Sequence, residues 1–239
     1  MKHIVSFSGG KDSTAMLLLM IEKKMPIDEI VFCDTGKEFP AMYDHILAVE
    51  KYIGRKITTI RSEKSFEYIL GKYKRRRRNG KTQIGKGWAD FQMRWCTGDL
   101  KRDVMKKYLS KQKHFLYQGI AFDELHRSKK NKDGRNHKYP LIEWEITEKM
   151  ALEYCYSKGF YWDGLYEKFS RVSCYCCPLQ PLDELYKIYN EFPELWADIV
   201  KMDKTSYRQF RSDYSIANLE RKFKGKQEQI KLFPSKLDK

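Results

Sequence analysis

Ser6-Phe-Ser-Gly-Gly-Lys-Asp-Ser13 follows an apolar pair, Ile4-Val5, and leads into an apolar-rich run from Ala15 to Ile21. The order reads as a buried strand, a tight glycine turn and a helix start. Without Cβ atoms, Gly9 and Gly10 let the backbone approach an anion closely. The N–H groups of the first helical turn then face that anion with the positive end of the helix dipole. Lys11 adds a point charge, and Ser8 and Ser13 add hydroxyls. Asp12 is the unusual member: a carboxylate beside phosphates repels them unless it holds Mg²⁺ or caps the helix. The stretch differs from the common G-x-x-x-x-G-K-[ST] loop because its glycines are adjacent and an Asp follows the Lys.

Working outward, His3 to Phe7 is a first strand and Ser13 to Lys24 a helix with Leu17, Leu18, Met20 and Ile21 on its stripe. Glu29 to Cys33 is a second strand, Pro40 to Ile53 a helix and Lys56 to Ile60 a third strand. Strand and helix alternating at this interval predict an α/β fold with a doubly wound, mostly parallel sheet. Such sheets bind ligands at the carboxyl ends of their strands, where Ser8-Gly9-Gly10 and Asp34-Thr35-Gly36 both fall.

Gly71 to Gly87 carries Lys72, Lys74, Arg75 to Arg78, Lys81 and Lys86, and reads as a basic loop or hairpin. Leu100 to Leu109 reads as helix and Phe115 to Ile120 as strand. Arg127 to Lys138 reads as a flexible charged loop, Thr147 to Lys158 as a helix capped by Thr147, and Pro181 to Phe210 as mainly helical. The polar tail after Lys222 is expected to fray. The expected division is a nucleotide-binding domain over 1–145 and a helical, cysteine-bearing extension over 146–239.

The 239 residues carry 47 Lys+Arg against 32 Asp+Glu, a net charge of +15. That balance favours a polyanionic partner, or else reflects basic surfaces throughout. Hydrophobic residues make up 41%, enough for a sizeable core. No signal peptide is visible, and the longest apolar run is too short to span a bilayer. The expected location is the cytoplasm, with no membrane partner; six cysteines there are not a disulfide framework.

Ser-Gly-Gly-Lys-Asp-Ser resembles the PP-loop of the ATP pyrophosphatases, which cleave ATP between the α- and β-phosphates. Four further segments resemble the phosphoadenosine phosphosulfate (PAPS) reductase branch of that superfamily. They are Asp34-Thr-Gly with Glu38-Phe-Pro40, Arg94-Trp-Cys-Thr with Lys101, Gly119-Ile with Asp123-Glu124 and Arg127, and Tyr139-Pro-Leu-Ile with Trp144. The resemblance implies that ATP, or another adenine nucleotide, is held by Ser6, Ser8, Gly9, Gly10, Lys11, Asp12 and Ser13. It implies that Asp34 and Thr35 lie near the adenosine and that Glu38 meets ribose or metal. Lys11, Asp12, Arg94, Lys101 and Arg127 would act on the phosphates or sulfate, with Glu124 orienting Arg127.

Cys96 and the Cys174-Tyr-Cys176-Cys177 group form a thiolate set with a C-x-x-C core, which reads as a metal site. A [4Fe–4S] cluster, structural Zn²⁺ and buried free thiols are the three readings. The family's iron–sulfur members place vicinal cysteines first and C-x-x-C second; here the vicinal pair sits in the second group. Cys33 and Cys155 read as core residues.

Sulfonucleotide reductases of the family use a cysteine in a C-terminal Glu-Cys-Gly-x-His segment, and Gln227 to Lys239 has none. The expected chemistry is therefore adenylation of an acceptor with release of pyrophosphate, followed by sulfur transfer to nucleic acid. The chain resembles the PAPS-reductase-like component of DNA phosphorothioation systems and, more distantly, tRNA thiolases. A cysteine desulfurase or another sulfur donor would be its partner. Arg75 to Arg78 would track a tRNA or DNA backbone, with Tyr73, Trp88 and Phe91 for stacking. The alternatives are PAPS or adenosine phosphosulfate reduction, and a nucleotide-binding regulatory or defence module without turnover.

Overall fold

Strands β1 (Lys2–Phe7) and β2 (Glu29–Asp34) are apolar where they pass through the core, with Ile4, Val5, Phe7, Ile30, Val31 and Phe32 all buried, and β3 (Thr58–Arg61) flanks them with half-exposed residues. Such continuous runs suit a parallel sheet covered on both faces. The computed structural model describes residues 1–76, 78, 80–130 and 136–232. Arg77 of the arginine run, residues 131–135 of the second charged stretch and the tail from 233 lie outside the described residues.

Packing divides the chain into two compact units: Met1–Glu63 with Thr97–Cys174, and Lys64–Cys96 with Tyr175–Lys239. Segments therefore pass between units at 63/64, 96/97 and 174/175, rather than at a break near 145.

In the first unit, β1 to β3 join β6 (His114–Gln118) and β7 (His137–Lys138) in one sheet of order β3-β2-β1-β6-β7. Every recorded pairing in it is parallel, with Ser6 opposite Val31 on one side and Gln118 on the other. The winding runs outward from β1 to β3 and then resumes at β6. The switch point thus lies between β1 and β6, and the glycine turn leaves β1 there. The doubly wound α/β reading holds.

Helices α1 (Lys11–Glu22) and α7 (Glu148–Ser157) pack on each other. On another side of the sheet, Ile4, Val31 and Leu116 meet Met105 and Leu109 of α5 (Asp103–Leu109). Helix α2 (Pro40–Ile53) starts on a proline and stops at Gly54 in the left-handed region. Thr147 caps α7, accepting the Met150 N–H at 3.3 Å.

Two expectations for this unit change. The described residues of the Arg127 to Lys138 stretch are in regular structure: a 3₁₀ helix covers Phe122–Lys130, and β7 adds to the sheet by parallel pairing of His137 with Leu116 and of Lys138 with Tyr117. Gly98–Arg102 is a π-helical turn entering α5, a distortion common near functional sites. The unit also holds α6 (Pro140–Glu143) and α8 (Leu165–Lys168).

The second unit contains α3 (Phe66–Gly71), the antiparallel hairpin β4 (Lys74–Arg76) and β5 (Thr82–Ile84), and helices α9 (Leu182–Glu191), α10 (Pro193–Asp203) and α11 (Ile216–Leu232). The turn α4 (Trp95–Thr97) closes its first segment. Its core is aromatic: Trp88 meets Phe210 edge-on at 4.9 Å, Phe66 meets Trp95 at 4.9 Å, and Phe223 meets Tyr189 and Trp196. Phe223 explains why α11 runs past Lys222 instead of fraying. Trp88, expected as a stacking platform, is 2% exposed and donates its indole N–H to Asp203, so it is a core residue. No helix among the described residues is long and apolar enough to cross a membrane.

Candidate active site

Gly9 has φ +78°, and a Cβ there would lie 2.6 Å from Met42 Sδ, so the turn after β1 requires glycine. Ser13 Oγ ties the turn together. It accepts from the Ser8 N–H at 3.1 Å and from the Ser8 hydroxyl at 3.0 Å, and donates to the Gly10 carbonyl at 3.0 Å. Gly119, at the end of β6, lies against the start of α1: a Cβ there would be 2.8 Å from backbone atoms of Asp12 and Ser13. The switch point is therefore a close backbone crossing, and Gly119 is what permits it.

Gly10 is the N-cap of α1 with no side-chain capping bond, so Asp12 does not cap the helix. Asp12, Glu124 and Glu148 instead each offer an oxygen within a 4.8 Å cluster. Asp12 Oδ1 is buried without a hydrogen-bond partner. Burial, opposed by Lys11 and reinforced by Glu148 and Glu124, pushes the Asp12 carboxyl up to about 6. An orphaned carboxylate oxygen among two further carboxylates fits a hard divalent cation. Lys11 Nζ sits between them, 2.7 Å from Glu148 and 3.7 Å from Asp12. Arg127 pairs with Glu124, the orienting contact expected from the sequence.

Three residues of this site were missed by sequence reasoning. Tyr166 accepts the Lys11 backbone N–H at 2.8 Å, Trp162 donates its indole N–H to the Gly9 carbonyl at 2.8 Å, and Glu148 binds the Lys11 ammonium. Trp162, Asp163 and Gly164 all have positive φ, at 49°, 52° and 73°. Left-handed backbone costs a non-glycine residue about 1–2 kcal/mol. The local signal available was Trp-Asp-Gly, a turn-prone trio beside an aromatic; nothing in it pointed to the glycine loop. His45, held neutral by burial and pushed down to about 3, stacks on Trp162 at 4.2 Å and bonds Thr14 at 2.9 Å. Cys155 is fully buried, donates to the Lys11 carbonyl and is pushed up to about 12, an inert thiol.

At the end of β2, both Asp34 oxygens are engaged. One accepts from the Gly36 N–H and the Tyr43 hydroxyl, the other from Arg61. Asp34 thus shapes the Asp-Thr-Gly turn. Glu38, buried, accepts from Thr35 at 3.2 Å and from Lys101 Nζ at 3.1 Å, and the Cys174 thiol lies 3.6 Å away. Lys101, Thr35, Glu38 and Cys174 therefore form one polar cluster. Cys33 donates to the Lys101 carbonyl, and burial pushes it up to about 11.

Arg94, Cys96, Cys176 and Cys177 belong to the second unit; Arg94 is exposed and Cys176 buried. All six cysteines are free thiols.

A family profile described as phosphoadenosine phosphosulfate reductase domain matches residues 2–180, three quarters of the chain. The chain belongs to the PAPS reductase domain family. Two relatives from Methanocaldococcus jannaschii, the uncharacterized proteins MJ0066 and MJ0973, are 29% and 27% identical over 81% and 82% of this chain. The chain spans 39% and 47% of their lengths. Among solved structures, PAPS reductase from Candida auris, a phosphate complex, superposes with a TM-score of 0.50 at 13% identity, covering 73% of this chain and 82% of that one. The U34-tRNA thiolase NcsA of Methanococcus maripaludis, with its [4Fe-4S] cluster, gives 0.45 at 15%, covering 95% and 73%. The PAPS reductase likeness is one of fold alone.

Proposed function

We propose that this PAPS reductase-family chain is a PP-loop enzyme that adenylates a nucleic-acid acceptor with ATP, releases pyrophosphate and enables sulfur transfer to the activated position. The observation that carries the reading is the glycine turn at the sheet's switch point, where Lys11 Nζ lies 3.7 Å from Asp12 Oδ2 while the other carboxylate oxygen, Oδ1, is buried without a partner. Lys11 would bind the phosphates, with Glu148 as its counter-ion until nucleotide arrives. Asp12, Glu124 and Glu148 would hold Mg²⁺, which supplies charge neutralisation for the departing diphosphate.

The acceptor's oxygen attacks the α-phosphorus; the new P–O bond forms as the bond to the β-phosphate oxygen breaks, and pyrophosphate leaves with its electron pair. A sulfur nucleophile from a donor such as a cysteine desulfurase then displaces AMP from the acceptor carbon. The protein's part is positioning and charge neutralisation. Lys101 and Arg127 would offer further cations. Three of Cys96, Cys174, Cys176 and Cys177 would hold a [4Fe–4S] cluster, which would then supply one open iron for sulfide; Zn²⁺ is the structural alternative.

The test is a pyrophosphate-release screen with ATP and Mg²⁺ under anaerobic conditions, over tRNA, DNA and sulfonucleotides. The expected result is acceptor-dependent pyrophosphate, lost in Lys11→Ala together with ATP binding. Sulfite release from a sulfonucleotide would replace this reading with reduction. ATP binding without turnover on any acceptor would replace it with a regulatory module.

A further inference from the structure

The second unit carries a cavity of about 570 Å³ lined by Arg75, Arg76, Arg78, Lys86, Met93, Tyr207 and Arg208, with Gln83. Among the described residues, the guanidinium groups of Arg75, Arg76 and Arg78 form no hydrogen bond or ion pair, while the backbone of β4 pairs with β5. Arg208 is held in place by Asp90, which also accepts the Gln92 and Met93 N–H groups. Tyr207 is 49% exposed, and its ring crosses Gly87, where a Cβ would lie 2.9 Å from it. One edge of the ring is therefore backed by the chain while half its surface stays open.

We propose that this cavity binds single-stranded nucleic acid, with Arg75, Arg76 and Arg78 on successive phosphates and one base stacked on Tyr207. The proposal deepens the nucleic-acid reading above and rests on it only for the identity of the acceptor. Three unpaired guanidinium groups on one hairpin repel each other, and a polyanion relieves that repulsion. Planar guanidinium forks match phosphate oxygens. Cations at three positions along a strand and its turn track a repeating anion better than a single phosphate. The open tyrosine face, with Met93 beside it, selects a strand whose base faces are uncovered, which a duplex does not offer.

The test uses fluorescence anisotropy of the full chain with a labelled 15-nucleotide single strand, across a salt series. Arg75→Gln with Arg78→Gln should weaken binding at least tenfold. It should also flatten the slope of log affinity against log salt by about 1.4, two phosphate contacts at about 0.7 each. Tyr207→Ala should weaken binding about tenfold with the slope unchanged, and Tyr207→Phe should restore it. An unaltered slope in the arginine pair, or a duplex bound as tightly and indifferent to Tyr207, overturns the proposal. ATP affinity of these folded variants, checked by circular dichroism, should equal wild type. Binding that needs Tyr207 with no pyrophosphate released on any acceptor keeps the cavity assignment and rejects the adenylation reading instead.

Discussion

The Tyr166 hydroxyl lies 2.8 Å from the backbone nitrogen of Lys11 and accepts its N–H, the first donor of helix α1. An anion bound at that helix end needs the same donor. Burial pushes the phenol's pKa up, so the hydroxyl stays neutral. Tyr166 thus occupies a phosphate position in the nucleotide-free loop.

Tyr166→Phe frees the Lys11 N–H without removing the ring, so ATP affinity should rise about threefold to tenfold, the worth of one neutral hydrogen bond. Isothermal titration measures it. A weaker affinity would mean that the hydroxyl belongs to the bound cradle.

Asp12 makes stability pH-dependent in a defined direction. Its carboxyl is raised to about 6 when folded against 3.8 for the ordinary group, so the folded chain binds the extra proton. Its contribution is complete below the unfolded value and is lost as pH rises through about 6. In chelator-treated buffer, Asp12→Asn should melt higher than wild type at pH 7.5, by an amount on the order of 3 kcal/mol, and match it near pH 4. Equal melting at both pH values would show that the carboxyl titrates normally.

Gly119→Ala pushes a methyl to 2.8 Å from the backbone of Asp12 and Ser13, which cannot yield as a side chain would. We expect a loss of about 1–3 kcal/mol by urea unfolding and a larger proportional loss of ATP binding. Wild-type stability would show that β6 and α1 are not in such close contact.

Anaerobically purified protein should be brown, with absorbance near the visible iron–sulfur region lost in Cys174→Ser. Colourless protein carrying one zinc per chain would assign the thiolates a structural ion.

The strand–helix alternation and the glycine turn made the sheet and its switch point legible, because both depend on local pattern. The same local pattern put Lys11 and Asp12 on the turn, whereas Glu124 and Arg127 were singled out only through the family resemblance. Trp162, Tyr166 and Glu148 were not legible: they reach the loop from well over a hundred residues away, through a left-handed turn that periodicity does not register. Trp88 misled because an indole in a basic stretch reads as a surface platform, whereas Asp203, far along the chain, supplies the buried partner for its N–H. The exchange of segments between units was equally hidden, since it depends on which aromatic residues find each other.

That exchange has a practical result. Phe66, Trp88 and Trp95 arrive early in the chain, yet Phe210 and the helices after residue 181 complete their surroundings. A fragment trimmed at 180, where the family profile stops, would leave three large rings facing water and invite aggregation; domain-dissection experiments on this chain should therefore carry α9 to α11 along.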